Sequence, residues 1–152
     1  MTEVYRLVRR ERAADVLSGD GASLYGGRWN PPGAPVVYAS ESRALAVLET
    51  FVHVTAEARA MRFLLYAITL PKGRRLKRHG HGGSSRAALA SSSTQEAGRA
   101  WLEEGKALAL VAPSIVVPQE CSYVLNVQHA QFAQVRVAEA EPFSFDERLW
   151  KA

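Results

Sequence analysis

Apolar and polar positions alternate along this chain in short, well-separated blocks. Glu3 to Val8 alternates at the period of a strand, and Arg9 to Asp15 is polar enough to predict only a short helical turn. Ser18 to Ser23 reads as a glycine-rich loop. Pro35 to Ala39 is a brief apolar run and predicts a buried strand. Ser40 then stands as an N-cap to a helix reaching about Val54, with Ala44, Leu45, Val47, Leu48, Phe51 and Val52 forming one broad apolar stripe. Arg62 to Leu70 predicts a second long strand, closed by Pro71. Lys72 to Ser92 reads as a loop. Ser93-x-x-Glu96 is a capping box that opens a helix to Glu104, and Gly105 stops it. Ala107 to Ala112, Ser122 to Asn126 and Gln134 to Ala138 predict three more strands. No repeat or linker divides the chain, so residues 1–152 form one domain, and many strands with two long helices give an α+β class.

The stretch Leu24-Tyr25-Gly26-Gly27-Arg28-Trp29-Asn30-Pro31-Pro32-Gly33 stands apart from this pattern. Adjacent glycines allow positive φ and close backbone approach, and the prolines fix an extended turn with no room for a helix. Arg28 offers a permanently charged planar fork suited to phosphate or carboxylate. Trp29 offers a ring face or a core plug. The plain structural reading is a turn with Trp29 buried and Arg28 in a surface ion pair.

Composition narrows the possibilities. A single cysteine, Cys121, permits no intrachain disulfide and fits a reducing compartment. The charged N-terminus does not read as a signal peptide, and the longest apolar run, Ala107 to Val117, contains Pro113 and Ser114. These features give the expectation of a soluble cytoplasmic protein. The net charge is +4, and Lys72 to Arg78 holds five cations in seven residues. That run permits a nucleic-acid-binding module, although no aromatic residue inside it can stack a base.

Motifs of the GxxxxGK[ST], GxGxxG and HExxH types are absent, and His53, His79, His81 and His129 lack a metal-ligand spacing, so no metal is expected. Ser114 follows Pro113 without a GxSxG elbow. Arg28, Tyr38, Glu49 and Ser114 remain as a set that needs no metal. Arg28 can hold a pyrophosphate, Tyr38 can stack on a flat ring or donate its hydroxyl, and Glu49 can stabilise positive charge on a sugar carbon. Nicotinamide in NAD is already a cationic leaving group, so no general acid is obligatory. Glu49 falls at the edge of its helix stripe beside Leu45 and Val52, with His53 one turn on and within reach. Each residue also has an ordinary structural use: Tyr38 in the core, Glu49 paired to His53, Ser114 capping a strand end.

Gly26-Gly27-Arg28-Trp29-Asn30-x-x-Gly33, Val37-Tyr38-Ala39 and Ala46-x-x-Glu49 together resemble the RES domain. Thr94-Gln95-x-x-Gly98-x-x-Trp101-Leu102, Pro113-Ser114-x-Val116-Val117-Pro118-x-Glu120, Leu125-Asn126 and Phe145-Asp146-x-Arg148-Leu149 follow in the family's order. The resemblance implies a compact fold similar to ADP-ribosyltransferases, and a toxin of a bacterial type II toxin–antitoxin pair that degrades NAD with water or phosphate as acceptor. It implies as partner an Xre-type helix-turn-helix antitoxin in a heteromeric complex, with nucleic acid reached only through that antitoxin. An acidic segment or C-terminal carboxylate would plug a cleft containing Arg28. Carried over by motif, Arg28, Glu49 and Ser114 are catalytic, and Arg28, Tyr38, Trp29 and Asn126 bind NAD. Asn126-Val127 and His129-Ala130 depart from the family's Asn-Pro and His-Pro, which predicts a looser loop there, and Cys121-Ser122 stands where the family has asparagine. Rival readings are a protein mono-ADP-ribosyltransferase using the same site, a non-enzymatic RNA binder using Lys72 to Arg78, and a degenerate relative that only binds a partner.

Overall fold

Strand β1 (Thr2–Arg9) forms where the alternation predicts it, and the polar residues after it make a 3-10 helix, Arg10–Asp15. The computed structural model describes residues 2–80 and 93–151. After α1 (Asp20–Tyr25) come β2 (Val36–Ser40), α2 (Arg43–Phe51), β3 (Phe63–Leu70) and β4 (Leu76–Arg78). They are followed by α3 (Ser93–Glu104), β5 (Ala109–Pro113), β6 (Cys121–Asn126), β7 (Arg136–Val137) and β8 (Glu141–Phe143). Among the described residues the eight strands form one sheet in the order β4-β5-β6-β2-β1-β3-β7, with β8 paired to β3. Pairing is antiparallel except between β4 and β5, the two strands that flank α3 in the chain. The α+β expectation therefore holds, as a mixed sheet with helices in one domain.

Period-2 alternation sorts the strands onto two faces. Val37, Leu125 and Ala109 are register partners, as are Ala39, Tyr123 and Val111, and all lie in one core cluster with Val4, Ile68 and Leu70. Tyr38, Val124 and Leu110 are partners on the opposite face, which packs on Trp29 and Trp101. In α3, Thr94, Gly98 and Trp101 make one buried stripe at helical spacing. The Trp101 indole is fully buried, and its N–H donates to the carbonyl of Ala107 at 3.1 Å, just past the helix end. α2 covers a third cluster, with Leu7, Ala46, Phe63 and Phe145 at its centre.

Three expectations are corrected. Ser40 is the last residue of β2, paired with Ser122; the cap of α2 is Ser42, whose Oγ accepts the Leu45 N–H at 3.0 Å, and the helix ends at Phe51. Strand pairing claimed the first serine and left the cap to the second. The glycine-rich stretch expected as a loop is α1, which also takes in Leu24 and Tyr25. Six residues are too few to hold a helix by themselves, and tertiary bonds hold it: Asn30 Nδ2 donates to the Ala22 carbonyl at 2.9 Å, and the Gly33 N–H to the Ser23 carbonyl at 2.7 Å. Within the basic loop, Leu76–Arg78 is a strand beside β5, and Lys77 pairs with Glu104 at 2.7 Å. The rest of that expected loop, residues 81–92, with His81 and the serine preceding the capping box, lies outside the described residues. β8 was not anticipated; three residues containing a proline show no usable alternation.

Trp101→Ala is expected to cost roughly 3–5 kcal/mol, seen as a lower urea midpoint at unchanged slope. A loss below about 1 kcal/mol would show that this indole does not anchor α3.

Candidate active site

β1 and β2 are neighbours in the sheet, yet among the described residues they share one register pair, Tyr5 with Ser40. Beyond it β1 stays fully paired with β3 and β2 with β6, so the two strands part and a cleft opens between them. Parting leaves the β2 edge without a ladder partner. Arg6 supplies one: its Nη1 donates to the Tyr38 carbonyl at 2.7 Å. Burial pulls the Arg6 guanidinium below its ordinary value, although an arginine stays charged in a protein. Its Nε is buried and has no hydrogen-bond partner. Arg6 lines the cleft with Arg28, Tyr38 and Glu49. Sequence reading missed Arg6 because it sits in an ordinary strand alternation; the only signal was a cation at an inward-facing position.

Arg28 lies at the tip of a tight turn in which the Gly27 N–H donates to the Asn30 carbonyl at 2.9 Å. Gly26 takes the left-handed φ of 71°, and Gly27 the close approach: a Cβ there would meet the Tyr38 hydroxyl at 2.6 Å. The turn is organised by Asn30, which is fully buried. Its Nδ2 donates to the carbonyls of Ala22, Pro31 and Ala34, and its Oδ1 accepts the Tyr38 hydroxyl at 2.6 Å. The same hydroxyl accepts the Trp29 N–H at 3.0 Å. The outer side of the turn rests on α3: Thr94 Oγ1 donates to the Arg28 carbonyl at 2.9 Å, and Gln95 Nε2 to the carbonyls of Gly27 and Asn30 at 3.1 and 3.2 Å.

Glu49 stands on α2, half-buried, and its Oε1 accepts the Ser114 hydroxyl at 2.6 Å. Ser114 is 1% exposed, and its Oγ also accepts the amides of Val116 and Val117 at 3.0 and 3.1 Å. That hydroxyl is engaged by all three contacts, and Ser114 holds the carboxylate from outside the cleft lining. A second tie joins the same elements. Ser42 Oγ donates to Glu120 Oε1 at 2.6 Å, while the Ser114 N–H donates to the Glu120 carbonyl at 2.8 Å. His53 lines the cleft, but the partner of Glu49 Oε1 is Ser114.

Of the other two expected NAD-binding residues, Trp29 borders the cleft with its ring turned into the core, and Asn126 lies outside the lining. The Trp29 ring is 2% exposed, packed with Trp101, Leu110 and Val124, and set edge-on to His79 at 5.1 Å. It plugs the core and anchors the turn. Asn126 lies at the end of β6 outside the cleft lining, and its Oδ1 accepts the Gln128 N–H at 3.0 Å. The loop after it is not loosened by the missing prolines: His129 N–H donates to the Asn126 carbonyl at 3.1 Å, and His129 Nδ1 accepts the Gln131 N–H at 3.1 Å. Side-chain caps do there what ring constraint would do. Among the described residues no group of three His, Cys, Asp or Glu side chains could hold a metal, and no helix is long and apolar enough to cross a membrane.

The RES domain profile matches residues 3–146. Two curated relatives, each named Toxin Res, are similar over almost their whole length. One, from Yersinia enterocolitica, is 35% identical over 96% of this chain and 98% of its own. The other, from Photorhabdus laumondii, is 36% identical over 98% and 97%. A protein of Sphingobium named Prs ADP-ribosylating toxin is 29% identical over 97% and 96%. A chain of the solved M. tuberculosis MbcT–MbcA toxin–antitoxin complex superposes with a TM-score of 0.70 at 20% identity, covering 94% of this chain and 84% of that one.

Burial pushes the Tyr38 phenol from its ordinary 10.0 up to about 12, against smaller downward pulls from the Trp29 amide and the Arg28 charge. The folded value is the higher one, so this stabilisation is complete below pH 10.0 and is lost as pH climbs towards about 12. Ultraviolet titration should show one tyrosine ionising near 12, and Tyr38→Phe should remove that step. The same substitution is expected to cost about 1–3 kcal/mol by stranding Asn30 Oδ1.

Proposed function

The chain belongs to the RES domain family, and on that footing we propose that it is a toxin that degrades NAD by cleaving the nicotinamide–ribose bond. The observation that carries this reading is the Ser114–Glu49 bond, which pins one oxygen of a half-buried carboxylate inside a cleft lined also by Arg6, Arg9, Arg12 and Arg28. A carboxylate oriented in this way serves a reaction in which positive charge develops on a sugar carbon. Arg28, exposed at its turn, anchors the pyrophosphate, and Arg6 adds a second cation on the opposite strand. Tyr38 packs against the nicotinamide end through its ring. Its hydroxyl belongs to the turn.

In this mechanism the bond between ribose C1′ and the nicotinamide nitrogen breaks, and its electron pair neutralises the pyridinium. Glu49 stabilises the oxocarbenium-like carbon through its second oxygen. Water or phosphate then adds through oxygen at C1′ and releases a proton, giving ADP-ribose or its 1″-phosphate. No general acid is needed at the leaving group. A protein acceptor is the second reading, favoured by the likeness to the Sphingobium protein named Prs ADP-ribosylating toxin.

The proposal extends to an Xre-type antitoxin that covers the cleft, with an acidic segment or terminal carboxylate set against its arginines. Contact with nucleic acid would then run through the antitoxin. The rival RNA-binding reading would draw on the basic run 72–78, in which Lys77 is paired with Glu104.

The test incubates the purified chain with NAD in phosphate and in phosphate-free buffer and follows nicotinamide and the ADP-ribosyl product by mass. Glu49→Gln is expected to lower kcat by roughly a hundredfold or more. Undiminished turnover in that variant, with the fold intact, would overturn the mechanism. Label retained on a protein substrate would select the second reading.

A further inference from the structure

We propose that the first turn of α3 is a clasp that sets the position of Arg28, with Thr94 and Gln95 as its positioning residues. This rests on the reading of Arg28 as the pyrophosphate anchor. The turn that carries Arg28 presents four consecutive carbonyls, those of Gly27, Arg28, Trp29 and Asn30, to one helix. Gln95 Nε2 donates to the first and the last at 3.1 and 3.2 Å, and Thr94 Oγ1 donates to the second at 2.9 Å. The third, that of Trp29, enters a gap left by Gly98, where a Cβ would lie 1.6 Å from the carbonyl oxygen. Residues 94, 95 and 98 stand at i, i+1 and i+4, so two donors and one gap share a single patch of the helix.

The turn is already built from inside by Asn30 and the buried Trp29 ring, and Gln95 is exposed. What Gln95 and Thr94 hold is the peptide backbone on either side of the Arg28 Cα. A long arginine side chain reaches phosphate from wherever its Cα is placed, and a misplacement of about 1 Å can cost a site up to a hundredfold. The Thr94-Gln95-x-x-Gly98 pattern is accounted for in this way: donor, donor and gap are read by the carbonyls of another segment.

The deciding variant is Gln95→Ala in the full chain, read in two ways. Amide hydrogen exchange should accelerate at Gly27 and Asn30, whose N–H groups close the turn, while β3 and β5 amides keep their rates. NAD turnover should show KM raised roughly three- to tenfold, the worth of one or two bonds to neutral carbonyls, with kcat changed much less. In an Arg28→Ala background the same substitution should add nothing further to KM. Thr94→Ser should retain wild-type behaviour and Thr94→Val should copy Gln95→Ala. Unaltered exchange at Gly27 and Asn30 would overturn the clasp, and so would a KM effect that persists in full without Arg28. If Arg28→Ala itself leaves turnover intact, the anchor reading fails instead, and the exchange rates alone still decide whether α3 holds the turn.

Discussion

The parting of β1 from β2 after one shared pair is the constraint on which the site depends. An antiparallel sheet gains by pairing every residue, and an unzipped seam leaves buried carbonyls to satisfy. Here β3 and β6 hold the two strands by their outer edges, and Arg6 bridges the seam at Tyr38. The cleft is therefore a structural consequence of the sheet, with cations on both banks: one rooted in a strand, the other carried on a turn.

Much of this was legible in the sequence. The clearest local signals announced themselves: the two long strands, the apolar stripe of α2, the capping box that opens α3 and the apolar strands of the central sheet. Arg28, Tyr38 and Glu49 do line one cleft. What stayed hidden was the division of labour among polar residues. Asn126, Ser114 and Asn30 can each both donate and accept, and all three are buried with their polar atoms bonded to backbone groups or to a cleft side chain. A sequence shows that such a residue can donate and accept, but the partners come from tertiary structure. Arg6 was hidden for the opposite reason: its spacing is that of any strand residue, and only the open seam gives it a task. The misplaced cap, Ser40 for Ser42, reflects two candidates of equal local merit separated by a strand pairing contributed from far along the chain.

Family membership and geometry support each other at different depths. The matched profile spans nearly the whole chain and accounts for the ordered motifs. The geometry says what several of those motifs do: Asn30 wires the turn, Trp29 seats it, and Ser114 holds a carboxylate. Two residues that the family likeness would assign to NAD have structural contacts in this chain: the Trp29 ring is buried in the core, and Asn126 Oδ1 accepts the Gln128 N–H.

The two ties between α2 and the segment joining β5 to β6 carry one more implication. Ser42–Glu120 and Glu49–Ser114 fasten the helix at points seven residues apart, about 10 Å along its axis. One point of attachment would let a helix swivel, whereas two define a bearing. Ser114 and Glu120 are themselves cross-bonded through the backbone, so both anchors move together. The interval 115–119 between them therefore behaves as a gauge block. Its letters can drift, but inserting or deleting one residue re-aims the carboxylate, and descent should preserve the length of this interval more strictly than its composition.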